Sequence, residues 1–278
     1  MAVCRAPHPP DVQGRCAEVS FLDVAGGRFR FEEAGSGPPI VLLHGFSFDS
    51  GLWDPQIQPL RHGHRVLRYD LRGFGGSAVP TQPYRHIDDL HAILAELKIE
   101  HPMLVGLSLG SNIALAYALE HPDNVAALVL ASPGLPGHPW AVQRPPEAAV
   151  AYAAEHGIDA GKQFWLAHPI FASVNSSPDV AAAVAGMVSR YSGWHWAQAD
   201  MQLPGPDVRS SLEAVKPPVL VLSGEHDVEG YRQIAEVIAS RVPRGGLVTV
   251  AGAGHVLNLE QPAEFNRRVL EFASQTAV

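Results

Sequence analysis

The sequence predicts an α/β fold: a mostly parallel sheet of eight strands flanked by helices, with a helical insertion before the last two strands. Three observations predict it. Short, wholly apolar runs of strand length alternate with longer stretches of helical periodicity, the pattern of a sheet buried on both faces. One of these runs, Met103 to Leu107, meets a serine held between glycines, Gly106-Leu107-Ser108-Leu109-Gly110, and turns at once into helix. The alternation lapses from about Leu135 to Leu212, where alanine-rich helical sequence is punctuated by prolines from Pro136 to Pro206. At 278 residues the chain can bury one full core and still carry such an insertion. The expected organisation is a loose leader over 1–16, a core made of 17–134 and 213–278, and the helical insertion over 135–212.

In chain order, Val19 to Val24 and Arg28 to Ala34 are β-like runs on either side of Gly26-Gly27, which reads as a hairpin turn. Pro38-Pro39 leads into the apolar strand Ile40 to Leu43, which ends in His44-Gly45-Phe46. Arg65 to Tyr69 is the next strand and closes on Asp70-Leu71-Arg72-Gly73-Phe74-Gly75-Gly76-Ser77. Gly73-x-Gly75-x-x-Ala78 has the outline of a dinucleotide fingerprint. That motif must open a helix, whereas Pro80 and Pro83 follow at once, so no nicotinamide site is expected. His86 to Leu97 is an amphipathic helix leading to the strand before Ser108. After the serine, Ile113, Leu115, Ala116 and Leu119 fit a helix that stops near His121-Pro122. Gly106 and Gly110 are a steric requirement of that turn: they let strand and helix pack closely while Ser108 takes a strained backbone that lifts its hydroxyl clear of the sheet edge. Val125 to Leu130 is a buried strand closed by Ala131-Ser132-Pro133-Gly134, with no carboxylate at its end. Beyond the insertion, Val219 to Ser223 is a strand ending in Gly224-Glu225-His226-Asp227. A helix from Tyr231 to Arg241, a strand from Leu247 to Val250, the stretch Gly252-Ala253-Gly254-His255 and a helix from Pro262 to Phe272 complete the chain.

Composition narrows the function classes. Net charge is −8, and the scattered lysines and arginines make no basic stripe of the kind nucleic acid requires. Mean hydropathy is near zero and no apolar run approaches the length of a membrane span. Cys4 and Cys16 lack metal-ligand spacing and are expected to be free thiols, and the proline-rich start has no apolar stretch of a secretory signal, so a cytoplasmic protein is the expectation. Asn175-Ser176-Ser177 matches a glycosylation acceptor that such a protein would not use. No HExxH or CxxC pattern is present to hold a metal, and no cofactor is expected.

Taken together, the strand, the Gly-x-Ser-x-Gly turn and the helix resemble the nucleophile elbow of the α/β-hydrolase superfamily, and further motifs stand in the order that family requires. The resemblance runs from about Val19 to Phe272. It is nearest to small capped serine esterases and 3-oxoadipate enol-lactonase-like hydrolases, on the His-Gly-Phe loop with its following tryptophan and the Gly-Leu-Ser-Leu-Gly elbow. Ser111 departs from it, since a glycine often stands there in those lactonases. The resemblance implies Ser108 as nucleophile, Asp227 at the Gly-x-x-Asp position as triad acid, and His255 in Gly-x-Gly-His, followed by Glu260-Gln261-Pro262, as base. Glu225 and Glu229 flank Asp227 as rival acids, and His226 reads as a loop histidine. The His-Gly dipeptide implies an oxyanion hole made by the backbone N–H groups of Phe46 and Leu109. Residues 135–212 become a helical cap, carrying Trp140, Trp165, Trp194 and Trp196, which either pack the cap on the core or line a pocket beneath it.

These parts imply ester or lactone hydrolysis. His255 removes the Ser108 proton, Asp227 orients the imidazole, and water releases the acyl group. The expected partner is a small to medium, mostly apolar ester or lactone. Carbon–carbon bond hydrolysis of dienone-type ring-cleavage products would use the same triad, and a ligand receptor can be built on the same fold. Arg144, Lys162, Arg190 and Arg209 are the cations of the cap segment, and one facing the pocket would favour a carboxylate-bearing lactone.

Overall fold

Strands β1 (Ser20–Val24), β2 (Gly27–Ala34), β3 (Pro39–Leu43), β4 (Arg65–Tyr69), β5 (Met103–Leu107), β6 (Ala127–Ala131), β7 (Val219–Gly224) and β8 (Gly245–Val250) form one sheet in the order β1-β2-β4-β3-β5-β6-β7-β8. The computed structural model describes residues 19–141 and 144–276, so Cys4, Cys16 and the leader lie outside the described residues. The strands from β3 to β8 pair in parallel, and β1 and β2 join antiparallel at the β4 edge. The central strands β5, β6 and β7 are buried at every residue, which is why they read as unbroken apolar runs; β1 alternates in exposure and in sequence. Val24 pairs with Gly27, so the hairpin turn is Ala25-Gly26 and not Gly26-Gly27. Both turn residues have positive φ, +50° and +68°, the conformation whose twist suits a two-residue hairpin, and this moves Gly27 into the strand.

Helices α1 (Asp54–Arg61), α2 (His86–Glu96) and α3 (Leu109–Glu120) connect the central strands; α4 (Pro145–His156), α5 (Ile158–Leu166), α6 (Pro178–Arg190) and the short α7 (Trp194–Ala197) lie between β6 and β7; α8 (Glu229–Arg241), α9 (Leu257–Glu260) and α10 (Pro262–Thr276) follow. The connection from β3 to β4 steps one way across the sheet, and those from β4 to β5 and β5 to β6 step the other way. Right-handed crossovers therefore put α1 on the opposite face from α2 and α3, and α10 packs beside α1. The reversal falls between β3 and β5, so the crevice of this sheet opens where their carboxyl ends carry Phe46 and Ser108. The helical segment between β6 and β7 packs on those same loops. Trp165 donates its indole N–H to the Ser47 hydroxyl at 2.8 Å, and Arg190 pairs with Asp49 at 2.7 Å. Asp70 and Arg72 serve the fold. Asp70 accepts the Ser50 and Gly76 N–H groups at 2.7 and 2.8 Å, and Arg72 grips the buried Asp89 with two hydrogen bonds of 2.9 and 2.6 Å. Among the described residues no helix is long and apolar enough to cross a membrane.

Candidate active site

Ser108 sits between β5 and α3 with φ +52° and ψ −106°, a conformation that L residues rarely adopt. The flanking glycines explain how this is possible. A Cβ on Gly106 would lie 2.3 Å from the Gly110 carbonyl carbon, and one on Gly110 would lie 2.0 Å from the Leu43 carbonyl oxygen. The turn is locked by Ser108 N–H donating to the Ala131 carbonyl at 2.9 Å and by the Ser111 hydroxyl donating to the Gly106 carbonyl at 2.7 Å. Ser111, the departure from the resembled pattern, thus ties α3 back onto β5.

Asp227 and His255 come together across the carboxyl ends of β7 and β8. His255 Nδ1 lies 2.9 and 3.1 Å from the two Asp227 carboxylate oxygens, and both side chains are buried. The Val228 N–H also donates to Asp227, at 2.8 Å, which fixes the carboxylate. Glu225, Glu229 and His226 point to solvent; Glu229 pairs with Arg232. The glycine-rich loop before His255 is pinned: Glu260 accepts the Gly254 and Val256 N–H groups at 2.9 and 3.0 Å, on either side of the histidine. Asn258 is anchored to Leu52 and Gln56. The role of Glu260 follows from its place one helical turn after Val256, where a carboxylate can reach back to open N–H groups.

The loop after β3 is set by His44, which sequence reading passed over as half of a dipeptide. It is fully buried; its Nδ1 donates to the Gly45 carbonyl at 2.8 Å and its Nε2 accepts the Leu71 N–H at 2.9 Å. Both nitrogens are satisfied only in the neutral form, and burial holds its pKa below the ordinary histidine value. Phe46 follows, half-buried, in edge-on contact with Phe74 and Trp165. Leu109 opens α3, so its N–H belongs to the unpaired first turn of that helix. Phe46, Ser108 and Leu109 line one cavity of about 610 Å³.

The four tryptophans part company. Trp140 lines the large cavity, and Trp165 lines a small hollow beside it. Trp194 and Trp196 are not among the described lining residues. Two positions apart on a single-turn helix, they point to different neighbours, Trp196 to Phe46 and Tyr191, and Trp194 to His195. Their neighbour His195 takes the lining position instead, stacked on Phe74 at 4.4 Å. Of the insertion cations, Arg144 reaches the cavity, and Glu147 pairs with it at 3.1 Å; Lys162 donates to the Ser189 carbonyl at 2.8 Å.

Burial pushes the imidazole of His86 down to about 3 and that of His195 down to about 4. Because both lie below the ordinary value of about 6.5, the unfolded chain binds these protons first. Their contribution to stability is complete above about pH 6.5 and is lost as pH falls towards 4, by about 1.4 kcal/mol per pH unit for each imidazole. Urea unfolding at pH 7, 6 and 5 should show this slope, and His86→Gln should flatten it; a slope unchanged in that variant would refute the assignment.

Comparison with known proteins places this geometry in a family. Residues 38–262 match the family described as the alpha/beta hydrolase fold. The chain is 29% identical to a carboxylesterase of Bacillus subtilis over 271 residues, covering 92% of this chain and 88% of the esterase. It is 28% identical to the 2-hydroxymuconate semialdehyde hydrolase of a Pseudomonas species, covering 90% of this chain and 92% of that one. The solved enol-lactonase of Burkholderia xenovorans superposes with a TM-score of 0.80 at 26% identity, covering 92% of this chain and all of that one, 100%.

Proposed function

The chain belongs to the α/β-hydrolase family, and from that premise we propose that it is a serine hydrolase cleaving carboxylic esters or lactones through an acyl-enzyme on Ser108. The observation that carries the reading is Ser108 itself, raised on a strained turn into a cavity near the buried Asp227–His255 pair. His255 Nε2 takes the Ser108 proton as the hydroxyl oxygen attacks the acyl carbon. Its Nδ1–H stays on Asp227, which holds the tautomer and stabilises the imidazolium. The oxyanion falls between the N–H groups of Phe46 and Leu109, where the loss of one donor costs about 3 kcal/mol of barrier. His255 then protonates the departing alkoxide, and water attacks the acyl carbon with the same imidazole as base.

The substrate is small to medium and mostly apolar, in keeping with Phe46, Phe74, Ile113, Leu135 and Trp140 in the cavity wall. The segment between β6 and β7 acts as its cap. An anionic acyl group is disfavoured, since the lining cations are already paired, Arg144 with Glu147 and Arg85 with Asp88 and Glu120, and Asp200 also stands in the lining. Two measurements test the reading together. Methyl esters of graded acyl length and simple lactones should be hydrolysed with release of acid in a pH-stat, and a fluorophosphonate should label Ser108, located by peptide mass mapping. Labelling elsewhere, or no labelling and no turnover in the folded protein, would overturn it.

A further inference from the structure

The space around Ser108 is divided unequally, and Tyr231 stands at the division. The large chamber of about 610 Å³ is lined by Ser108, Leu109, Asn112, Trp140 and Tyr231 among others. A hollow of about 10 Å³ beside it is lined by Ile170, Phe171, Trp165 and His255 among others, and shares Ser108, Phe46, Pro146 and Tyr231 with the large chamber. The second holds about one water molecule or a methyl group. Tyr231 is 4% exposed, its ring 4.3 Å from the His255 imidazole and inclined at 49°. On its other side Trp140 meets it edge-on at 5.1 Å. The indole lies on the backbone of Gly230, where a Cβ would come within 2.3 Å of it. The phenol ring is therefore clamped between His255 and Trp140, and burial raises its pKa, so it remains an uncharged wall.

Chemistry assigns the two spaces. In the tetrahedral intermediate the carbon carries the acyl chain, the oxyanion, Ser108 Oγ and the alkoxy group. His255 has to pass the serine proton to the alkoxy oxygen as the C–O bond breaks and the alcohol leaves, so the alkoxy group lies on the His255 side, in the hollow. The acyl chain leads away from it into the large chamber. Resting on the hydrolase reading above, we infer that Tyr231 is a specificity-determining partition, and that the substrates are esters of a medium-length, uncharged acyl chain with a one-carbon alcohol. In the second half-reaction the hollow receives the single water that adds to the acyl carbon, gives its proton to His255 and releases Ser108.

Two isomers test this directly, methyl octanoate and heptyl acetate, which carry the same atoms with the long chain on opposite sides of the ester. The native protein should favour methyl octanoate by about 30-fold or more in kcat/KM, the range that pocket exclusion of several methylenes allows. Tyr231→Phe keeps the ring and should keep the ratio within about threefold. Tyr231→Ala, and independently Ile170→Ala, which also lines the hollow, should each narrow it by at least about fivefold through faster hydrolysis of heptyl acetate, a change that general destabilisation would not produce. Parity or a preference for heptyl acetate in the native protein, or a ratio unmoved in both alanine variants, overturns the partition while leaving the hydrolase reading intact. No hydrolysis of either isomer or of any other ester or lactone overturns the hydrolase reading itself, and the partition with it.

Discussion

Ser108→Ala is expected to lower kcat/KM for the preferred ester by roughly four orders of magnitude or more and to abolish fluorophosphonate labelling, with the fold intact. The size follows from the part that Ser108 plays in the proposal: without its oxygen no acyl-enzyme forms, and what survives is the weak effect of the oxyanion donors on attack by water. Ser108→Gly separates chemistry from strain. The serine backbone, at φ +52° and ψ −106°, lies in a region glycine enters freely, and strain of this kind stores about 1–3 kcal/mol. The glycine variant should therefore be as inactive as the alanine variant yet more stable, by about 1 kcal/mol, which for a chain of this size moves Tm upward by about 2–4 °C. Calorimetry beside the ester assay reads both. Substantial activity in either variant would remove Ser108 from the mechanism, and a glycine variant less stable than native would show that the turn is not strained.

The second large effect is on folding. Gly110→Ala should destabilise the protein by about 3 kcal/mol or more, because the new methyl would stand 2.0 Å from the Leu43 carbonyl oxygen and 2.5 Å from its carbon. Those atoms belong to β3, held by β4 on one side and β5 on the other, so they cannot yield as a side-chain tip could. Activity should fall along with stability, since the same carbonyl leads into the His44–Phe46 loop. Gly63→Ala is the matched control: a Cβ there meets no atom within 4 Å, and its effect should stay within about 0.5 kcal/mol. Urea unfolding of the two variants measures the contrast, and equal effects would remove the steric account of the elbow.

Much of this was legible in the chain itself. The strand runs around Val41, Val105, Val129 and Val221 could be recognised because a sheet buried on both faces demands uninterrupted apolar sequence. Ser108, Asp227 and His255 each end a strand or follow one closely, so position and chemistry pointed to the same residues. The hairpin slipped by one residue, since Ala25 carries no sign that it will adopt positive φ. Glu260 is marked by its spacing of one helical turn from Val256, whereas Tyr231 and His195 meet His255 and Phe74, far away in sequence, and no local pattern marks them. The tryptophans show the same limit. Composition announced aromatic packing between β6 and β7, and only contact geometry sent Trp140 to the cavity, Trp165 to Ser47 and Trp196 to Phe46.

By itself, the sequence determined the α/β architecture and the elbow at Ser108, because periodicity and glycine placement are local consequences of burial and backbone sterics. It also determined the chain order of the three residues proposed to form the triad. Only the tertiary structure decided how the space around Ser108 is shared out. That depends on where Tyr231, Trp140 and Ile170, drawn from three separate segments, come to rest against one another, and close packing between distant segments leaves no periodic trace in any of them.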